Sequence, residues 1–206
     1  MKKYKTLIIF DWDDTLFPTS WVVDNNIDLS DKDIQNKFII YFSQLDVLLY
    51  NLLTTCLKYG TVFVVTNATI KWIQTAASVL PHTHNILYDG INVISARDTY
   101  QNEYPDQMNI WKKLTFQDLI SNNFDKHKHQ HVVSIGDAEH EFNALTDLYN
   151  ESSITKHRLL KTIRLIRAPS FNALIDELDV LNSCIVRILT NHDHMDLKFK
   201  DKKNKL

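Results

Sequence analysis

A chain of 206 residues suits one domain, and 44% hydrophobic with 23% charged residues is the balance of a folded globular protein, not of a disordered or fibrous one. The formal net charge of −2 offers no basic field for nucleic acid or an anionic membrane. The two cysteines, Cys56 and Cys184, fall on expected apolar helix faces and make no disulfide framework, and three glycines are too few for a Gly-rich phosphate loop. A reducing compartment is the simpler reading of the cysteines. No apolar run approaches the roughly 18 residues of a membrane helix, and the N-terminus carries no secretory pattern, so a cytoplasmic location without a membrane span is expected.

Residues 5–10 read as a first strand that stops at Asp11-Trp12-Asp13-Asp14-Thr15. Pro18 discourages a helix there, and 17–29 reads as an irregular loop. Ser30 is the expected cap of the next helix, with Asp33 near the positive end of its dipole. Ile34, Phe38, Phe42, Leu45, Leu49, Leu52 and Cys56 recur at helical spacing, which predicts one long helix ending near Tyr59-Gly60. The β-branched and aromatic run 61–65 predicts a buried parallel strand ending in Thr66-Asn67. A helix over about 68–80 is halted by Pro81. Residues 85–88 and 91–95 are short strand candidates around Asp89-Gly90, as a hairpin or with one of them as the third parallel strand.

Residues 97–106 form a polar loop, and 108–120 a helix. A strand over 131–135 ends in Gly136-Asp137, followed by a helix over 139–149 and a fifth strand over 161–166. Pro169-Ser170 opens a last helix through Ile185. Strands alternating with helices predict an α/β fold: three-layer, Rossmann-like, with a mainly parallel sheet and helices on both faces. The domain is expected over 1–191, with 192–206 a polar, flexible tail.

The chemistry-bearing residues gather at strand ends. The first strand ends in Asp11 and Asp13, the second in Thr66 and Asn67, and the fourth in Asp137, with Glu141 one helical turn further on. Parallel strands share their carboxyl edge, where ligands bind in open sheets, so these groups converge. The ordered set resembles the motifs of the haloacid dehalogenase-like superfamily. Asp11-Trp12-Asp13-Asp14-Thr15 is similar to its first motif, Val64-Val65-Thr66-Asn67 to its second, and Ile135-Gly136-Asp137-Ala138-Glu139-His140-Glu141 to its acidic fourth. Lys112 or Lys113 stands where the third-motif lysine belongs. Lys112 is preferred because it shares a helical stripe with Met108, Phe116 and Leu119, whereas Lys113 neighbours Asn109 and Gln117.

The resemblance implies a phosphatase or phosphotransferase acting on a phosphomonoester through an aspartyl-phosphate intermediate. Asp11 is the implied nucleophile, and Asp13 the acid and then base; this second carboxylate separates phosphoryl transfer from dehalogenation. Thr66 is the implied hydrogen-bond donor to the phosphoryl group, and the lysine balances its charge. Asn67 either contacts phosphate or caps the following helix. A carboxylate attacking an anionic phosphate needs a cation, and Mg²⁺ suits hard oxygen ligands. The implied metal ligands are Asp11, the Asp13 backbone carbonyl and Asp137. Glu141 departs from the Asp more usual in the family, and holds the metal directly or through water.

Asp14 reads as a turn or helix-start residue, Trp12 as packing, and Thr15 as a hydroxyl that ties the turn. The histidines at 82, 84, 127, 129, 131, 192 and 194 read as solvated loop residues, because no cysteine or spaced acid completes a zinc site. Neither inter-motif gap holds a full cap domain, which implies an open site, with 17–29 and its Trp21 as a small flap. Capless relatives take macromolecular phosphoesters or gain cover as homo-oligomers, so the expected partner is a phosphorylated substrate, small or macromolecular. The competing readings are a catalytically silent binding or regulatory module, disfavoured by the presence of both Asp11 and Asp13, and a receiver-type domain, disfavoured because no Asp ends the third strand in the right context.

Overall fold

Strand β1 (Lys5–Phe10) shows why the chain folds in layers. Ile8 and Phe10 enter one apolar cluster, Leu7 and Ile9 another, and all four are essentially inaccessible. A strand buried on both faces needs helices on both sides. The computed structural model describes residues 5–124, 130–151 and 158–200. Within them β1 pairs with β2 (Thr61–Thr66) and β4 (Gln130–Gly136), β2 with β3 (Asn92–Ser95), β4 with β5 (Arg158–Arg164), and β5 with β6 (Met195–Lys198). Every pair is parallel, in the order β3-β2-β1-β4-β5-β6.

Helices α3 (Ile39–Leu57), α4 (Ile70–Ala77), α5 (Pro81–Asp89) and α9 (Phe171–Thr190) bury apolar residues in the cluster that holds Ile8. Helices α6 (Ala96–Tyr100), α7 (Met108–Asn123) and α8 (Glu139–Glu151) cover the other face. The architecture is the three-layer α/β fold expected from the alternation of elements. Chain direction across the sheet reverses between β1 and β4, which opens a crevice at their carboxyl ends.

Several local expectations are corrected. Residues 85–88 are helical, inside α5, and Pro81 opens that helix as well as following α4. Only 92–95 forms the third strand. The single long helix is two, α2 (Lys32–Lys37) and α3, broken at Phe38, whose ring meets Trp21 edge-on at 5.6 Å. Asp31, not Ser30, caps α2 by accepting from the Asp33 and Ile34 backbone N–H groups. The polar loop at 97–106 begins with α6.

Residues 17–29 are no flap. They hold α1 (Thr19–Asp24), bury Val22, Ile27 and Leu29, and seat Trp21 among Phe38, Tyr41, Phe42 and Phe171. Residues 67–111 are likewise used by α4, α5, β3, α6 and the start of α7, so no cap domain is present among them.

The expectation of a flexible tail over 192–206 is corrected for its first part. Met195, Leu197 and Phe199 pack on the core while β6 extends the sheet. The alternation of these three with Asp196, Lys198 and Lys200 is a strand pattern carried on a charged stretch. Residues 201–206 lie outside the described ones. Helix α3 is, among the described residues, long and apolar enough by length and composition to cross a membrane, although Gln44, Asp46 and Asn51 interrupt its apolar run. Its Phe42, Leu45, Leu49, Leu52, Leu53 and Cys56 are buried in the core, as suits a central helix of such a fold.

Candidate active site

Asp11 follows the last residue of β1, and its N–H donates to the Ile135 carbonyl of β4 at 2.9 Å. Asp137 follows the last residue of β4. The crevice at the direction reversal therefore receives both carboxylates. Glu141 reaches back from the first turn of α8, where its Oε2 accepts from the Ala138 N–H at 3.1 Å. Its path crosses Gly136 so closely that a Cβ there would lie 2.5 Å from Glu141 Cγ, so the glycine is required by this approach. One carboxylate oxygen from each of Asp11, Asp137 and Glu141 lies within 4.8 Å of the others.

Lys112 projects from α7 into this group. It is 2% exposed, and its Nζ donates to Asp11 Oδ1 at 2.6 Å and to Glu141 Oε1. Lys113 instead pairs with Asp147 at 3.3 Å, toward solvent. The apolar stripe of α7 carries Lys112 inward along with Phe116 and Leu119.

The electrostatics of the cluster are unbalanced. Three carboxylates face one ammonium, an excess of two negative charges when all are ionised. Burial pushes Asp11 well above the usual carboxylate range; Lys112 pulls it down, while Glu141 and Asp13 push it further up. Burial also raises Asp137 to about 6, with Glu141 and Asp14 adding to the rise. Burial works against the charge on Lys112, but the Asp11 and Glu141 carboxylates outweigh it and its pKa is raised. Buried, like-charged carboxylates with a net deficit of positive charge fit a bound divalent cation.

A second group adjoins the first. Asp13 is half-buried; its Oδ1 accepts from Trp72 Nε1 at 2.9 Å and Thr19 Oγ1 at 2.5 Å, and its Oδ2 from Thr66 Oγ1 at 3.2 Å. Thr66, at the end of β2, accepts in turn from the Ala68 N–H at 2.9 Å. Trp72 and Thr19 were not among the expected site residues. Their only sequence signal is position, in the first turn of the helix after Thr66 and just beyond Pro18.

The turn after Asp11 is tight. Leu16 and Phe17 both donate to the Trp12 carbonyl at 2.9 Å, and Asp14 sits at φ 54°, a left-handed conformation that Asp tolerates. Asp14 accepts from Ser20 N–H at 2.8 Å and from the Ser20 hydroxyl. Trp12 is fully buried and stacks on Phe17 at 5.8 Å. The Thr15 hydroxyl was expected to tie this turn, but it is buried with no hydrogen-bond partner among the described residues.

Asn67 does not cap α4; Thr69 does. Its Nδ2 donates to the Met108 carbonyl at 3.3 Å and its buried Oδ1 has no partner among the described residues. The histidines are not uniformly solvated. His131 lies on β4, 2% exposed, with Nδ1 3.4 Å from Thr6 Oγ1, and burial, with Lys161 and His192, pushes it down to about 3. His194 accepts from the Leu160 N–H at 3.1 Å, His82 and His84 are exposed on α5, and His127 and His129 lie outside the described residues.

No family model, no curated protein and no solved structure matches the chain.

Proposed function

We propose that this chain is a Mg²⁺-dependent phosphatase or phosphotransferase of the haloacid dehalogenase-like superfamily, acting on a phosphomonoester through an aspartyl-phosphate on Asp11. The observation that carries the reading is Lys112 held between Asp11 and Glu141, beside Asp137, at the carboxyl ends of the two strands where the sheet reverses direction. Asp13 and Thr66, already joined at 3.2 Å, supply the second carboxylate and the hydroxyl that phosphoryl transfer needs.

In this mechanism an Asp11 oxygen attacks phosphorus as the bond to the leaving oxygen breaks, and Asp13 delivers a proton to that oxygen. Water then attacks the aspartyl-phosphate, Asp13 takes its proton, and phosphate leaves with Asp11 restored. Lys112 orients Asp11 and offsets phosphoryl charge throughout. Asp11, Asp137 and Glu141, the last directly or through water, with the Asp13 carbonyl that the resemblance implies, would hold Mg²⁺, which supplies positive charge against the substrate phosphate. With no cap domain among the described residues, the site is open to a small or a macromolecular phosphoester, or to cover by a second copy of the chain. Free Cys56 and Cys184 support a cytoplasmic setting.

The test is hydrolysis of 4-nitrophenyl phosphate with Mg²⁺ and with EDTA, for the wild type and Asp11→Asn. Metal-dependent turnover that Asp11→Asn abolishes is expected. A Mg²⁺-induced rise in melting temperature without turnover on any phosphoester of a broad panel would instead identify a silent binding module. Neither binding nor turnover would overturn the proposal.

A further inference from the structure

Two of the three donors on Asp13 fall on the same oxygen. Oδ1 accepts from Trp72 Nε1 and Thr19 Oγ1, whereas among the described residues Oδ2 accepts only from Thr66 Oγ1, at the longer distance of 3.2 Å. A carboxylate oxygen has two in-plane lone pairs, so Oδ1 is fully engaged. Thr66 has a single hydroxyl hydrogen. Once it turns to a docked phosphoryl oxygen, the contact to Oδ2 is released and that oxygen is left free to carry a proton.

The indole that pins Oδ1 is itself fixed. Trp72 stands on α4 and meets Phe17 edge-on at 6.0 Å, and Phe17 stacks on the buried Trp12 that follows the nucleophile. Thr19 opens α1, immediately past the same turn. Two elements on either side of Asp13 thus each direct one donor to Oδ1. A tryptophan needed only for packing has no requirement for its N–H to meet a carboxylate at 2.9 Å.

We infer that Trp72, assisted by Thr19, is a positioning residue that anchors Oδ1 of Asp13 and so assigns Oδ2 as the oxygen that exchanges protons with the leaving group and with water. The inference rests on the phosphatase reading of the site. The balance is simple: the proton on Oδ2 passes to the leaving oxygen as its bond to phosphorus breaks, and the attacking water returns one to Oδ2 as the Asp11–phosphorus bond breaks.

The experiment compares aryl phosphates whose leaving groups differ in their need for a proton. In Trp72→Phe, which keeps an aromatic ring against Phe17, kcat/KM for phenyl phosphate should fall about ten-fold and for 4-nitrophenyl phosphate about two-fold, the size expected for one hydrogen bond acting on the proton transfer. Thr19→Val should give the same selective pattern, and Trp72→His, which retains a ring N–H, should recover part of the loss. An equal loss across all leaving groups is the signature of a structural role and overturns the inference while leaving the phosphatase reading intact.

A second readout needs no turnover. The Trp72 indole ¹⁵N–¹H resonance, assigned by its disappearance in Trp72→Phe, should move in Asp13→Asn while those of Trp21 and Trp111 stay. An unmoved resonance overturns the inference even in an active enzyme. A wild type inert both to every aryl phosphate and to the broad phosphoester panel overturns the phosphatase reading, and the assignment of Oδ2 with it.

Discussion

Lys112 and Glu177 are both buried charged residues, 2% and 3% exposed, and their surroundings could hardly differ more. Lys112 has a carboxylate on either side. Glu177, on α9, accepts from the Ile166 N–H at 2.8 Å through Oε1, while its buried Oε2 has no partner among the described residues. Burial pushes Glu177 up from 4.5 to about 7; the Ile166 N–H pulls it down and Asp137 raises it further. Its folded pKa lies above its unfolded value, so between those values the folded state keeps a proton that the unfolded chain releases. Stability therefore falls as pH rises through that window. Glu177→Gln keeps the Oε1 acceptor and removes the charge. In urea unfolding it should match the wild type near pH 4 and exceed it by about 2 kcal/mol near pH 8. A variant less stable than the wild type near pH 8 would show that Glu177 is needed as a carboxylate. The neighbours of such a residue come from distant parts of the chain, and spacing along α9 marks Glu177 only as polar.

Helix α8 begins where the acidic cluster closes, and the strand–glycine–helix junction before it sets how deep Glu141 can reach. Gly136→Ala places a methyl 2.5 Å from Glu141 Cγ and 2.8 Å from its Cδ, against a side chain already tied to Lys112 and the Ala138 N–H. Either the strand end or Glu141 must shift. The expected cost is about 1–3 kcal/mol in urea unfolding in EDTA, with a smaller Mg²⁺-induced rise in melting temperature than the wild type shows. An unchanged Mg²⁺ response would separate Glu141 from the metal site. The other junctions teach the same point. Residues 30–57 have the helical periodicity of one element, yet the chain breaks at Phe38, where the ring is taken up by Trp21 and Tyr41. Periodicity records which face is apolar, not where the backbone leaves helical geometry, as it does at Phe38 with φ −104° and ψ 11°.

Across the molecule the sheet grows outward in both directions from β1, and its outer strand on one side is the charged segment Met195–Lys198. β6 covers the edge of β5, Asp196 accepts from Thr162 Oγ1 and Arg164 at 2.6 and 2.7 Å, and the Asn191 carbonyl before it accepts from buried Lys161 at 2.7 Å. A chain ending at residue 191 should be less stable than one ending at residue 200 by roughly 3 kcal/mol, from the lost packing of Met195, Leu197 and Phe199, and more prone to associate through the bared edge. Urea unfolding and light scattering on the two chains check both parts. Equal stability would return this segment to the status of a dispensable tail.

The alternation of apolar strands with amphipathic helices was enough to specify the three-layer α/β fold, because strand and helix periods are local properties of the chain. The same alternation placed Asp11, Asp13, Thr66 and Asp137 at strand ends, and parallel strands bring such ends to one edge whatever the details of packing. The α7 stripe favoured Lys112 over Lys113 on the same local ground. The rest depended on elements meeting in space. That Glu141 closes over Gly136, that Trp72 and Thr19 share one oxygen of Asp13, and that the segment Met195–Lys198 completes the sheet are matters of distance between groups up to 59 residues apart in the chain, and no periodicity encodes such distances.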